Sequence, residues 1–220
     1  MTGAGWHPHG PGPLRPVERN ELARPSPEVA ADLLGRLLVR AEGDGAATVA
    51  RIVETEAYRQ DDPASHSHRG RTPRTQPMFA RPGTAYVYRS YGVHWCLNVS
   101  AEEEGVGAAV LIRAAELLRG HRFVWPRRPA ARSERDLLRG PGCLTAGLDV
   151  DGFRHDGGDL LRGVAGLRLC DDGWRPQPAM VRSTPRVGIR AAAEVPWRFH
   201  VVDEPTVSAY RPHPRVARPG

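Results

Sequence analysis

The 220-residue sequence contains no lysine; all 31 basic residues are arginine. A P-loop needs a lysine on the phosphates of its nucleotide, so the chain is not a Walker-type NTPase. Schiff-base chemistry of the lysine type needs that amine too, which excludes lysine-dependent pyridoxal phosphate and β-lyase mechanisms. A codon preference for arginine accounts for most positions, and the exclusion holds either way. Cysteine is scarce as well: Cys96, Cys143 and Cys170 are odd in number, far apart and form no C-x-x-C. That argues against a disulfide framework, a zinc ribbon or an iron–sulfur cluster. No apolar run approaches the roughly 18 residues of a membrane span. The N-terminal MTGAGWHPHGPGPLRP lacks a basic start followed by an apolar stretch, so no secretory signal is expected and a cytoplasmic location is.

One absence is local. From Pro63 to Ala101 there is no aspartate or glutamate. The same stretch carries Arg69, Arg71, Arg74, Arg81 and Arg89, three histidines, and interleaved Phe79, Tyr86, Tyr88, Tyr91 and Trp95. Arginines without acids, mixed with rings, suit a nucleic-acid face: phosphate contacts plus platforms for bases. The bland alternative is a solvated basic surface over core aromatics. The formal net charge of +6 and pI near 9.9 point the same way, toward a polyanionic partner.

What is present fits one soluble domain. Hydrophobic residues at 40% and charged ones at 25% are ordinary for a globular chain, and the length can bury a core without staples. Gly 24 and Pro 21 predict many loops and short elements. Residues 1–25 are rich in Gly and Pro and are expected to be a flexible tail, as are residues 209–220, leaving a domain over 26–208. The stretch WPRRPAARSERD (125–136) reads as a basic surface loop. Ser26-Pro27-Glu28 predicts a short helix with Ser26 as N-cap and Gly35 as its stop. LLVR (37–40) reads as a strand, EGDG (42–45) as a turn, and TVARIVETEAY (48–58) as a long strand. Alternation places Ile52, Glu54, Glu56 and Tyr58 on one face, and Val53, Thr55 and Ala57 on the other. Residues 84–100 predict a hairpin with Tyr91-Gly92 at its tip. GAAVLIRAAEL (107–117) is an apolar strand holding one charge, Arg113, and further strands are expected near 165–170, 185–190 and 197–202. The fold class is α+β: a curved, mainly antiparallel or mixed sheet with short helices and a protruding hairpin.

Three candidate features follow from residue types. A large ring at a hairpin tip has little to pack against, so Tyr91 suits a wedge between bases; alternatively it lies over a neighbouring loop. Glu56 and Tyr58 would line one cavity, and a buried Arg113 wants a carboxylate, with Glu56 a candidate; a structural ion pair is the alternative. His66 and His68 form H-x-H, but no third ligand is placed, so no metal is assigned.

The blocks RIVETEAY (51–58), DPASHSHRGRTPR (62–74), MFARPGTAYVYRSYGVHWCLNVS (78–100), VLIRAAE (110–116), GPGCLTAGLDV (140–150), PRVGI (185–189) and PWRF (196–199) occur in this order. Together they resemble the alkyladenine (3-methyladenine, methylpurine) DNA glycosylase family over roughly residues 20 to 208. The resemblance implies a single α+β domain that sits on the minor groove of duplex DNA. It implies monofunctional hydrolysis of the N-glycosidic bond of flipped alkylated or deaminated purines (3-methyladenine, 7-methylguanine, hypoxanthine, ethenoadenine) without AP lyase activity. Tyr91 would fill the gap left by the flipped nucleotide. Tyr58, Tyr88 and His66 would hold the purine, and Asn98 would crowd the 2-amino group of guanine. Glu56 would activate water, held also by Arg113 and the backbone carbonyl of Val187. Arg69, Arg71, Arg74 and Arg89 are the expected backbone contacts. No cofactor is implied, and the expected state is a monomer on nucleoid DNA of a bacterium. Departures from the family pattern are Cys143 where Lys is usual, Thr75 where Asn is usual and Val93 where Met is common. A binding protein that keeps the fold without catalysis is the alternative, and an RNA- or nucleoside-directed hydrolase a third. An intact Glu56 and Arg113 speak against the first, and a wedge tyrosine against the second.

Overall fold

The longest strand is written in ATVARIVETEAY, which is rich in β-branched residues (Thr48, Val49, Ile52, Val53 and Thr55) and which no Gly or Pro interrupts. In the computed structural model, which describes residues 11–212, this segment is β3 (Ala47–Tyr58), at the centre of a curled antiparallel sheet. Before it come β1 (Arg15–Pro16), α1 (Arg19–Leu22), α2 (Ser26–Asp32) and β2 (Leu37–Ala41). After it come β4 (Ala85–Ser90), β5 (His94–Ser100) and β6 (Ala109–Arg119), then α3 (His121–Arg127), α4 (Pro141–Gly147) and α5 (Gly152–His155). The chain closes with β7 (Leu167–Asp171), β8 (Val181–Thr184) and β9 (Arg198–Val201). The sheet runs β1-β7-β2-β3-β6-β5-β4, and β9 pairs with both β3 and β8. β2 takes the first half of one edge of β3 and β9 takes Glu54–Glu56, so the carboxylates of β3 sit between β6 and β9. The core is built from Val29, Leu33 and Leu34 of the α2 region against Ile52, Val53, Leu97 and Ile112, all buried. Among the described residues no helix is long and apolar enough to cross a membrane.

Two paired irregularities matter for the site. Between Ile52 and Glu54, β3 advances two residues while β6 advances one, from Ala115 to Ala114. Between Glu54 and Thr55, β6 advances two, from Ala114 to Ile112, and the residue passed over is Arg113. A bulge re-aims the side chains around it. The first bulge breaks the expected alternation: Ile52 joins Val53 in the main core instead of sharing the face of Glu54. The second frees Arg113 from strict pairing beside the carboxylates.

Several expectations need correction. Ser26 does not cap α2: its hydroxyl donates to the Tyr58 carbonyl at 3.4 Å, and its N–H donates to Glu102 Oε1 at 3.0 Å. The carboxylate of a distant loop thus takes over the satisfaction of a helix N-terminus. The helix stops before Gly35, at Asp32 with Leu33 as its C-cap; Gly35 lies in the turn that follows, with φ +90° and the Trp174 ring 2.9 Å from where a Cβ would stand. Residues 185–190 are not a strand: β8 ends at Thr184, and Pro185 has no N–H to give to a ladder. The segment 11–25 contains β1 and α1, and Val17 and Leu22 lie in the core; of the tails expected over 1–25 and 209–220, residues 1–10 and 213–220 lie outside the described residues. Residues 125–136 are more ordered than a surface loop: they complete α3, Trp125 packs against the core, and Arg127 pairs with Glu42 at 2.7 Å.

Candidate active site

Glu56 is fully buried, yet it forms the floor of a cavity of about 410 Å³. Its Oε1 accepts from the Val187 N–H at 2.7 Å and lies 3.3 Å from Arg113 Nη1. Its Oε2 accepts from the Tyr58 hydroxyl at 2.8 Å. A buried carboxylate is tolerable only with such donors. Val187 therefore enters through its N–H; the expectation from the resemblance concerned its carbonyl.

Arg113 is shared. Its Nε donates to Glu54 Oε1 at 2.9 Å and its Nη2 to Ser208 Oγ at 3.2 Å. Burial opposes its charge, but Glu56 and Glu54 outweigh that and hold its pKa above the usual value. Glu54 also accepts from Arg198 Nε at 2.7 Å and from the Ser208 N–H at 2.8 Å. Burial pushes its pKa up, and Arg113 with Arg198 reverses this, leaving it lowered. So Glu54, not Glu56 alone, is the close partner of Arg113, and it ties β3, β6, β9 and the chain near residue 208 to one point. The first Glu of ETEAY was the available signal for it.

The cavity walls are aromatic. Tyr86 and Tyr88 stack at 5.3 Å between centroids, and His66 meets Tyr88 edge-on at 4.6 Å. Their residue numbers differ by two because alternate residues of β4 face the same way. His66 Nδ1 is 2.9 Å from the Tyr86 hydroxyl. His66 sits at the exposed mouth, and desolvation against these rings, then Arg74, lowers its pKa to about 4. It is neutral near pH 7. Burial raises the hydroxyls of Tyr58, Tyr88 and Tyr86, the last to about 12. All three hydroxyls are uncharged near pH 7. Asn98 is buried in the wall, with Nδ2 donating to the Tyr86 carbonyl at 3.0 Å.

Tyr58 is backed from behind. Arg186 places its guanidinium 4.7 Å from the Tyr58 ring centre and is held by Asp62 through both terminal nitrogens. Sequence reasoning missed this pair; its two members lie 124 residues apart, in the DPASH and PRVGI blocks.

At the rim, β4 and β5 pair antiparallel across a turn in which Tyr91 and Gly92 both have positive φ, 49° and 70°. Asparagine usually leads such a turn, and a tyrosine there is uncommon. Tyr91 lines the cavity and is 90% exposed, so it does not lie packed over a neighbouring loop. Arg69, Arg71, Arg74 and Arg89 are all exposed, and Arg74 and Arg89 also border the cavity. Arg71 covers Phe79 at 5.0 Å and Arg74 covers Tyr88 at 5.5 Å. His68 is on another path, 3.2 Å from the Gln60 carbonyl, and among the described residues no cluster of three His, Cys, Asp or Glu exists that would hold a metal. Thr75 closes the 70–75 turn through its hydroxyl, and Cys143 Sγ lies 2.9 Å from Arg128 Nη2.

A sequence profile of methylpurine-DNA glycosylases matches residues 20–205, the same span that carries this constellation. The chain belongs to the methylpurine-DNA glycosylase family. A relative from Burkholderia orbicola, provisionally named a 3-methyladenine DNA glycosylase, is 42% identical over 96% of this chain and 97% of its own length. A Streptomyces avermitilis relative with the same provisional name is 43% identical over 92% and 96%. One from Rhodococcus jostii, named likewise, is 44% identical over 91% and 87%. At the level of class, this glycosylase is a hydrolase acting on DNA.

Proposed function

We propose that this glycosylase excises alkylated or deaminated purines, such as 3-methyladenine, 7-methylguanine, hypoxanthine and ethenoadenine, from duplex DNA by hydrolysis with a Glu56-activated water. The observation that carries this reading is the Glu56 carboxylate, fully buried and held by Arg113, Val187 N–H and Tyr58 on the floor of an aromatic cavity. A flipped purine enters between Tyr58 and the Tyr88–His66 wall, with Asn98 beside it. Tyr91 fills the vacated place in the stack; its left-handed backbone and exposure suit a residue placed for a partner outside the fold.

The chemistry then needs little. Water attacks C1′, its proton passes to Glu56, the C1′–N bond breaks, and the purine leaves with the bonding pair. Alkylation at N3 or N7 makes the purine cationic and already a good leaving group. The developing positive charge on the sugar faces an anionic carboxylate, and electron-rich rings attract a cationic base by roughly 0.5–2 kcal/mol. Arg113 and the Val187 backbone keep Glu56 aimed and align the water. Neutral lesions such as hypoxanthine need their base protonated, and no residue for that step is identified. The total lack of lysine supports simple hydrolysis without strand cleavage. Arg69, Arg71, Arg74 and Arg89 meet phosphates. We read the protein as a cofactor-free monomer acting on bacterial nucleoid DNA in the cytoplasm.

The deciding experiment is single-turnover excision from duplexes that each carry one defined lesion. Glu56→Gln should keep lesion binding and lose roughly 10²–10⁴-fold in rate, as when a general base is removed. A variant rate within tenfold of wild type would end the assignment.

A further inference from the structure

Exposed apolar side chains are unevenly placed on this protein. Of the six large hydrophobic residues that stand exposed among the described residues, Tyr91, Val93 and Phe153 gather at one end of the β4–β5 pair. Phe153, in the short α5, is 90% exposed. Its ring meets Trp95 edge-on at 5.6 Å, and the Arg89 guanidinium lies 5.3 Å from the Trp95 ring centre. Trp95 and Arg89 face each other across the two strands, next to the turn that carries Tyr91. A Cβ on Gly152 would stand 2.6 Å from the Trp95 ring, so the α5 backbone is pressed against Trp95 and fixes where Phe153 projects.

Trp95 and Phe153 lie outside the cavity lining, and Arg89, at the cavity rim, joins them to it. Tyr88 faces the cavity, and Arg89, one residue on, stacks on Trp95. Nearby charges do not compete for an anion, because Arg154 is taken up by Asp149 at 2.9 Å and Asp151 at 2.6 Å. What the ledge offers is one bare ring, one half-covered ring and the cation of Arg89. A ring left in water contributes nothing to folding through burial, so its exposure calls for a partner outside the fold.

We propose that Arg89, Trp95 and Phe153 form a second DNA-contact ledge, on which the sugar–phosphate backbone flanking the Tyr91 insertion rests. Arg89 meets a phosphate, and the Phe153 ring packs on the apolar face of a deoxyribose. The inference rests on the reading of Tyr91 as the inserted residue. A strand rises about 3.3 Å per residue, so a duplex entered by the tip brings its groove wall onto residues one or two positions behind it. The ledge occupies that place, running outward from the rim of the cavity that takes the flipped base.

The test is equilibrium binding to a duplex carrying an uncleavable tetrahydrofuran abasic-site analogue, across a series of salt concentrations. Phe153→Ala should weaken binding roughly tenfold, as for a buried aromatic contact at an interface. The slope of log affinity against log salt should stay unchanged, because the ring neutralises no phosphate. Phe153→Tyr should bind like wild type. Because the ring is exposed, the thermal midpoint of Phe153→Ala should also match wild type, which separates contact from folding. Affinity of Phe153→Ala within twofold of wild type overturns the ledge. A wild-type protein that fails to bind this duplex overturns both the ledge and the DNA reading. Glu56→Gln that still excises removes the catalytic assignment alone.

Discussion

The Tyr58 hydroxyl donates to Glu56 Oε2 at 2.8 Å from two residues further along the same strand. One ring therefore serves two purposes: its face walls the cavity, and its hydroxyl sets the rotation of the carboxylate. Oε1 is fixed independently by Val187 and Arg113. Tyr58→Phe should accordingly keep lesion-duplex affinity and lose about tenfold in single-turnover excision, in line with one hydrogen bond to a charged group. Equal rates for Tyr58→Phe and wild type would show that the hydroxyl does not orient Glu56.

Tyr91 tests the opposite end of the reaction. If it plugs the stack, its job is to hold the extruded base, not to perform chemistry. Unstacking costs a few kcal/mol, least for damaged or unpaired bases. Tyr91→Ser should slow excision in intact duplex and suffer less where the lesion sits opposite a gap. Glu56→Gln should show no such rescue. Ethenoadenine fluorescence in stopped flow reports the flipped state directly, and undiminished flipping by Tyr91→Ser would show that the ring does not hold the extruded base.

The exposed arginines predict a salt signature. Removing one arginine–phosphate interaction should lower the log–log salt slope by about one unit. Replacing Arg69, Arg71 and Arg74 together should flatten the slope and weaken binding across sequences alike. An unchanged slope would place the DNA on another face. Arg74 has a second neighbour, Tyr88, so its replacement should also alter the cavity wall.

His66 carries a pH prediction with a definite sign. Desolvation and Arg74 lower its folded pKa to about 4, against an ordinary 6.5. The unfolded chain therefore takes up the proton first. The stability tied to neutral His66 is complete above about pH 6.5 and is lost as the pH falls toward 4. Urea unfolding of His66→Asn at about pH 8 and about pH 5 should show the variant gaining on wild type at the lower pH. An NMR titration should find the folded His66 midpoint well below 6.5; a midpoint at or above that value would contradict the neutral, hydrogen-bonded ring.

Much of the site was legible in the chain. Alternation along ETEAY put Glu54, Glu56 and Tyr58 on one face, and the Tyr91-Gly92 pair marked the turn, because both signals depend only on local backbone periodicity and φ. The missing lysines excluded whole reaction classes from composition alone. Alternation failed at Ile52, where a bulge on β3 is balanced by one at Arg113 on β6; register between strands about 60 residues apart is a property of pairing, and no local pattern encodes it. The same limit hid the cap that Glu102 supplies to α2, the Arg186–Asp62 clamp behind Tyr58, and the Ser208 N–H on Glu54 across 154 residues. Residue types and their spacing determined which groups were available for chemistry. Their partners were decided by tertiary structure, because a buried charge must find donors wherever the folded chain brings them, and sequence distance places no bound on that search.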